Sequence, residues 1–470
     1  MQKLFGEVGL LDKRCYDEFG LSEDILMEHA ADGMADYIRE NFAKNSTITI
    51  ACGSGNNGAD GIALARLLHR EYNVKLFYVK SPKSKMAILQ AKRSRQVGVV
   101  ETKELSECDV LVDAVVGTGF VGEFYEGLKE TMQKLNALKA FKIACDIPSG
   151  LDANGNCAED SFVADISLTM GALKKSMFLD EAKEFVGEIK VLNLGISRDV
   201  YETQSNWNLL DMKDLLLPLR DKKDTHKGSF GHLALISGEK LGASIISGLS
   251  ALRFGSGLVT LVGYENEQVL SIPYELMYGH TIPENTTALA LGMGLGTEFS
   301  DSELKEFLEK DLALIVDADI FHMKIVLDIL KKKRLVLTPH PKEFVALLKL
   351  TNIADITTQE LQKNRFKYVE LFSKHYPNTV LLLKGANVII AQEKQFYINP
   401  HGSSVLAKGG SGDVLSGLIG ALLAQGYQPL NAAIHASLAH TKLAQAYRGA
   451  NFSMTPKDLI EAISLCSSSQ

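Results

Sequence analysis

Residues 46–70 read STITIACGSGNNGADGIALARLLHR. A β-branched run reaches Cys52, glycines follow at 53, 55 and 58, and apolar residues at helical spacing come next. That succession predicts a strand, a tight turn and a helix, the opening of a βαβ unit. NVKLFYVK (73–80) supplies the returning strand. Runs at DVLVDAVV (109–116), KIACDI (142–147) and VADISLT (163–169) extend the pattern into a parallel sheet with helices on both faces.

The texture turns polar across 197–228, which holds the only tryptophan, and the alternation then restarts with HLALIS, GLVTLVG, TALALGMG, ALIVDADI, RLVLTPH and TVLLLKG. A chain of 470 residues exceeds one ordinary core. The expected class is α/β, as two domains, 1–210 and 211–470, the division falling near residue 210. A net charge of -7 argues against a nucleic-acid footprint. The basic run KKKR (331–334) falls where a helix ends, and cations there complement the helix dipole. No stretch approaches the ~18 uninterrupted apolar residues of a membrane span, and no apolar leader opens the chain. The six cysteines are scattered without metal spacing. A cytoplasmic protein without nucleic-acid or membrane partners is expected; homo-oligomerisation is left open.

Gly53, Gly55 and Gly58 satisfy the dinucleotide fingerprint G-x-G-x-x-G. The acid expected about 20 residues on is missing, because the second strand ends in Lys80, so a nicotinamide-linked dehydrogenase fits poorly. The turn also carries two amides and a carboxylate, Asn56, Asn57 and Asp60, which either cap the turn or bind a polar ring or a cation. DAVVGTGFVG (113–122) and CDIPSGLDANG (145–155) put Asp113 and Asp146 at or near later strand ends, where open α/β sheets bind ligands. Asp113 lies in an apolar run and needs a cation or hydrogen-bond donors. An oxygen-only set of Asn57, Asp113 and Ser149 suits a hard cation.

GNNGADG, DAVVGTG and DIPSGLDANG, in that order, resemble the NAD(P)H-hydrate epimerase family over roughly residues 1–210. The resemblance implies a Rossmann-like three-layer domain that binds potassium and interconverts R- and S-hydrated NADH or NADPH. It implies substrate contacts from Asn56, Asn57, Gly58, Ala59 and Asp60, from Gly117, Thr118, Gly119, Phe120, Val121, Gly122 and Glu123, and from Asp146. Potassium would lie on Asn57, Asp113 and Ser149. Ala59 replaces the family's usual second glycine, and its methyl is either harmless at a helix start or crowds the substrate. Asp146 is the carboxylate expected to handle a proton, with Asp60 the other candidate.

LAKGGSGDVLSG (406–417) places glycines before an apolar helical pattern. Backbone N–H groups at such a helix start bind phosphate oxygens. Asp413 repels phosphate, so it reads as the base aimed at an attacking hydroxyl, against the plainer reading of a helix cap. LLLKGANVII (381–390) offers a phosphate cradle, LIVDADI (314–320) acids for magnesium or its waters, and TPHPKEF (338–344) a histidine held between prolines.

Together with HKGSFG, SGEKLGAS and GMGLG, these motifs resemble the ADP- or ATP-dependent NAD(P)H-hydrate dehydratases of the ribokinase-like superfamily over roughly 211–470. The resemblance implies that Ala243, Gly294, His340 and Asp413 contact the hydrated nucleotide. It implies that Lys384, Gly385, Ala386, Asn387, Val388 and Gly412 contact ADP or ATP, with Mg2+. Lys342 stands where the family commonly has glycine, and Val405-Leu406 where Met-Ala is commoner. The whole resembles a bifunctional repair enzyme, in which an epimerase feeds a dehydratase. A ribokinase-type kinase of a vitamin or sugar, with an accessory Rossmann-like domain, is the alternative; a non-catalytic binding platform is another.

Overall fold

The glycine turn after Cys52 marks a place where two backbones nearly touch. In the computed structural model, which describes residues 1–264, 271–297 and 299–466, the strand Thr47–Cys52 is followed by the helix Asn56–Leu68. The helix starts three residues earlier than its apolar spacing indicates, because Asn56 and Asn57 form its first turn. A Cβ on Gly53 would stand 1.9 Å from the Val115 carbonyl oxygen, and one on Gly58 would stand 2.1 Å from the Gly53 oxygen. A Cβ on Gly61 would meet the Ala114 methyl at 2.6 Å, so the helix lies directly on the sheet.

The chain divides into two compact units, Gln2–Trp207 and Asn208–Gln470 with Met1. In the first, seven parallel strands run edge to edge as Val100–Thr102, Asn73–Tyr78, Thr47–Cys52, Val110–Ala114, Phe141–Cys145, Ile166–Met170 and Glu188–Leu192. The order reverses between Thr47–Cys52 and Val110–Ala114, the switch point where such sheets open a crevice. A short parallel pair, Gln2–Phe5 with Leu173–Lys174, sets Phe5 opposite Lys174. That pair and the strand Glu188–Leu192 escape a reading by apolar runs, being short or alternating with charged residues.

In the second unit seven parallel strands run as Met277–Gly279, Leu258–Val262, His232–Ile236, Ala288–Leu291, Ala313–Val316, Leu335–Leu337 and Thr379–Leu383. Val388–Gln392 and Gln395–Asn399 continue the sheet antiparallel. The helix Ser411–Ala424 is buried almost all round, between the sheet and the helices Leu241–Arg253 and Pro429–Ala446. At Gly417 a Cβ would stand 1.9 Å from Ser250 Oγ, so two of these helices touch at backbone distance. No helix among the described residues is long and apolar enough to cross a membrane.

Gly53→Ala is expected to destabilise the first unit by about 1–3 kcal/mol, since the Val115 carbonyl must move. Gly55→Ala, with nothing within 4 Å of its Cβ, meets no clash and should cost less, only the N-cap preference for glycine over alanine. Calorimetric unfolding of the two variants checks the contrast.

Candidate active site

The carboxyl ends of the strands at the switch point open into a cavity of about 510 Å³. Of the residues expected there, Asn56, Asn57, Asp60, Gly117, Thr118, Gly119 and Asp146 line it. Gly58 and Ala59 are buried, and Ala59 packs with Met27, Met86 and Ala87 and does not line the cavity. Phe120 to Glu123 also lie off it: Phe120 is buried against Phe124 with ring centroids 4.9 Å apart, and Val121 is 85% exposed. Glu123 Oε2 accepts a hydrogen bond from the Glu159 amide at 3.3 Å.

Asp146 ends the strand Phe141–Cys145 and stands at φ 70. Its Oδ1 accepts from Lys174 Nζ at 2.5 Å, the Met170 amide at 2.9 Å and the Thr169 hydroxyl at 3.2 Å. Asp60 has no side-chain hydrogen-bond partner among the described residues. Burial pushes its carboxyl well above the ordinary value; the charges of Asp146, Asp12 and Glu23 add to this, and Lys174 opposes it. Two carboxyl groups in one cavity, one ion-paired and the other pushed up, divide between base and acid.

Asp113 is fully buried behind the cavity wall. It accepts from the Val115 amide at 3.1 Å, the Ser149 hydroxyl at 2.7 Å and the Ser149 amide at 2.8 Å. Burial pushes it up to about 6, against those hydrogen bonds. These donors are neutral, so the negative charge of an ionised Asp113 is hydrogen-bonded but not balanced. The buried amide nitrogen of Asn57 has no partner among the described residues. An unbalanced buried carboxylate beside a hydroxyl is an oxygen set that fits potassium, with the side-chain oxygen of Asn57 as the third candidate ligand; the unpaired Asn57 nitrogen is a hydrogen-bond donor and no ligand.

In the second unit Gly410, at φ 87, precedes the helix Ser411–Ala424, and Asp413 lies in its first turn. Asp413 has no side-chain hydrogen bond among the described residues, and its carbonyl accepts from Ser247 Oγ at 2.9 Å. It therefore does not cap the helix. Burial pushes its carboxyl up to about 6, with Asp317 and Asp319 adding and Lys384 opposing. Lys384 Nζ donates to Asp317 Oδ1 at 2.7 Å, and Ser416 Oγ donates to Asp317 Oδ2 at 2.8 Å. A Cβ on Gly412 would lie 3.5 Å from Lys384 Nζ, which places the glycine loop and the LKGAN loop side by side. Gly385 and Ala386 are exposed, and Asn387 and Val388 buried. Gly294 packs against Lys240 and Ala243, whose helix also carries Ser247.

His340 caps the helix Pro341–Leu350, its Nδ1 accepting from the Lys342 and Glu343 amides at 3.1 and 3.3 Å. That fixes a neutral ring with its proton on Nε2, 3.2 Å from Glu343 Oε1. Lys342 itself is exposed. Of the two acids expected to meet magnesium, Asp317 is held by Lys384 and Ser416, and Asp319 accepts from the Gly296 amide at 2.8 Å.

Residues 233–465 match the family described as NAD(P)H-hydrate dehydratase, and residues 23–176 the family described as YjeF-related protein N-terminus. A Helicobacter pylori protein named bifunctional NAD(P)H-hydrate repair enzyme Nnr is 44% identical over 471 residues, covering 98% of this chain and 99% of its own length. The chain belongs to the bifunctional NAD(P)H-hydrate repair enzymes. A relative of that name from Dictyoglomus turgidum is 31% identical, covering 98% of this chain and 96% of its own. The Escherichia coli relative is 28% identical over 91% of this chain and 86% of its own. Among solved structures, an ADP/ATP-dependent NAD(P)H-hydrate dehydratase from Bacillus subtilis, co-crystallised with ATP and Mg2+, is 28% identical. It covers 54% of this chain and 94% of its own, with a TM-score of 0.46.

Several residues at the two candidate sites escaped the sequence reading. Asp12, Tyr16, Glu23 and Lys174 line the first cavity. Glu343 stands in the quoted TPHPKEF motif without an assigned role; burial pushes it up to about 7, and it lies 4.0 Å from Lys384. The available signal was a charge inside an apolar context, as at Lys174 in MGALKKSM (170–177).

Because Ala59 faces packing, Ala59→Gly is expected to cost about 0.5–1 kcal/mol of stability with no gain in turnover at the first site. Thermal unfolding and a turnover assay of the variant check it.

Proposed function

We propose that the first unit interconverts R- and S-hydrated NADH or NADPH, and that the second dehydrates the S form with ADP or ATP as phosphoryl donor. The observation that carries the second half is Asp413: a carboxylate without a hydrogen-bond partner among the described residues, at the head of a glycine-led helix beside Lys384. In this reading Asp413 takes the proton of the ring hydroxyl while that oxygen attacks the donor's terminal phosphorus. Gly412, the helix amides and Lys384, with Gly385 to Val388, hold the donor's phosphate oxygens. The P–O bond to the leaving nucleotide breaks. Phosphate then departs from the ring carbon, the neighbouring carbon loses a proton, and the double bond of NAD(P)H is restored. Ala243, Gly294 and His340 contact the hydrated nucleotide, and Mg2+ would accompany the donor phosphates near Asp319.

In the first unit Asn56, Asn57, Asp60 and Gly117 to Gly119 receive the hydrated nicotinamide, and Asp146 handles the proton. Potassium on Asn57, Asp113 and Ser149 would supply the positive charge that the buried Asp113 otherwise lacks.

With mixed R and S hydrate, potassium, magnesium and donor, the wild-type protein is expected to restore all of the NADH absorbance. Asp413→Asn should lower dehydration by about 100- to 10,000-fold while R-to-S exchange continues. Asp146→Asn should stop recovery once the S form is consumed. Full recovery by Asp413→Asn would sink the base assignment, and phosphorylated product without recovered NADH would favour a kinase.

The pH dependence carries a sign. Asp413 must be ionised to act, so kcat/KM for dehydration falls as pH drops through about 6 and is flat above. A rate-against-pH profile on pure S hydrate reads this directly.

A further inference from the structure

The two oxygens of Asp146 are treated unequally. Oδ1 accepts from Lys174, Met170 and Thr169, whereas Oδ2 has no hydrogen-bond partner among the described residues. Asp146 stands at φ 70, a backbone conformation that non-glycine residues rarely adopt and that persists where the surroundings enforce it. Lys174 is 3% exposed. Its ammonium also donates to Thr169 Oγ1 at 2.9 Å and to the Met170 carbonyl at 3.3 Å, so all three of its donors are used. The pairing of Gln2–Phe5 with Leu173–Lys174 fixes its backbone, and the side chain lines the cavity.

We infer that Lys174 is the positioning residue of the first site, locking Oδ1 of Asp146 so that Oδ2 is the base available to the substrate. This deepens the epimerase reading and rests on it. With Oδ1 pinned by Lys174, Met170 and Thr169, Oδ2 is left to meet the ring hydroxyl, and proton removal there is the first step of ring opening. Oδ2 takes the proton of the ring hydroxyl, and the oxygen's freed pair forms a carbon–oxygen double bond. The bond from that carbon to the ring nitrogen breaks, and its electron pair stays on nitrogen, in conjugation with the ring carboxamide. Rotation about the adjacent carbon–carbon bond is followed by reclosure on the other face. The carbon–nitrogen bond re-forms and Asp146 returns its proton to the oxygen. No atom is gained or lost.

The test follows R-to-S conversion by chromatography in the full chain, with dehydration of pure S hydrate measured alongside. Lys174→Met is expected to lower kcat for conversion about 100-fold with little change in KM, the cost of a misplaced base. Lys174→Arg, which keeps the charge and the donors, should recover most of that loss. In heavy-oxygen water the wild-type protein should convert R to S without taking up one solvent oxygen per event. One solvent oxygen per conversion would overturn the base role, and this measurement does not depend on any variant folding. An unchanged kcat in Lys174→Met would overturn the role of Lys174 and leave the epimerase reading standing. Wild-type protein that converts no R hydrate would defeat the epimerase reading itself.

Discussion

Both units depend on backbone passing backbone at a distance that leaves no room for a side chain. At Gly53 a Cβ would stand 1.9 Å from the Val115 oxygen; at Gly292, which is at φ 108, it would stand 1.9 Å from the Asp317 oxygen. Each contact ties the end of one parallel strand to the end of its neighbour. The first brings the turn bearing Asn57 against the Val115–Gly119 loop. The second brings the GMGLG turn against Asp317, and so against Lys384. Polar loops that would otherwise splay into solvent are thus held over the sheet, and binding groups from separate segments share one place.

On that scaffold the two sites handle charge alike. Each has a lysine–aspartate pair with one partner buried, Lys174 with Asp146 and Asp317 with Lys384. Each also has a carboxyl group without a hydrogen-bond partner among the described residues, Asp60 or Asp413, pushed up first by burial. Such a pair is costly to break from the exposed side, because the buried Lys174 or Asp317 is left uncompensated. In the second unit the pair fixes geometry and Asp413 stays free to exchange a proton; in the first the pair pins Oδ1 of Asp146 and leaves its Oδ2 free. In the second unit Arg365 adds a clamp: buried, it donates to the carbonyls of Leu383, Lys384 and Asn387, and so holds the LKGAN loop.

Most of the core strands were legible because their signals are local. The runs at 46–52, 109–116 and 314–316 are apolar or β-branched and end at glycine or aspartate, and each becomes a parallel strand. The strand Glu188–Leu192 alternates charged and apolar residues, a short period-two signal that a reading by continuous apolar runs passes over. Asp113 and Ser149 were legible as members of one oxygen set; that Ser149 donates both its hydroxyl and its amide to Asp113, across 36 residues, was not. Ala59 was legible as a departure from the family pattern, but its direction was not. A helix face is decided by what packs on it, here Met27, Met86 and Ala87.

The sequence by itself determined the two α/β halves, the glycine turns and the carboxylates at strand ends. Periodicity and turn chemistry act within a few residues and leave their mark in composition. Only the tertiary structure decided which charges meet. Lys174 reaches Asp146 across 28 residues, Lys384 reaches Asp317 across 67, and Ser416 reaches it across 99. The protonation behaviour of Asp60 and Asp413 was decided there too. Desolvation and pairing depend on the neighbours that packing supplies, and a linear pattern does not contain them.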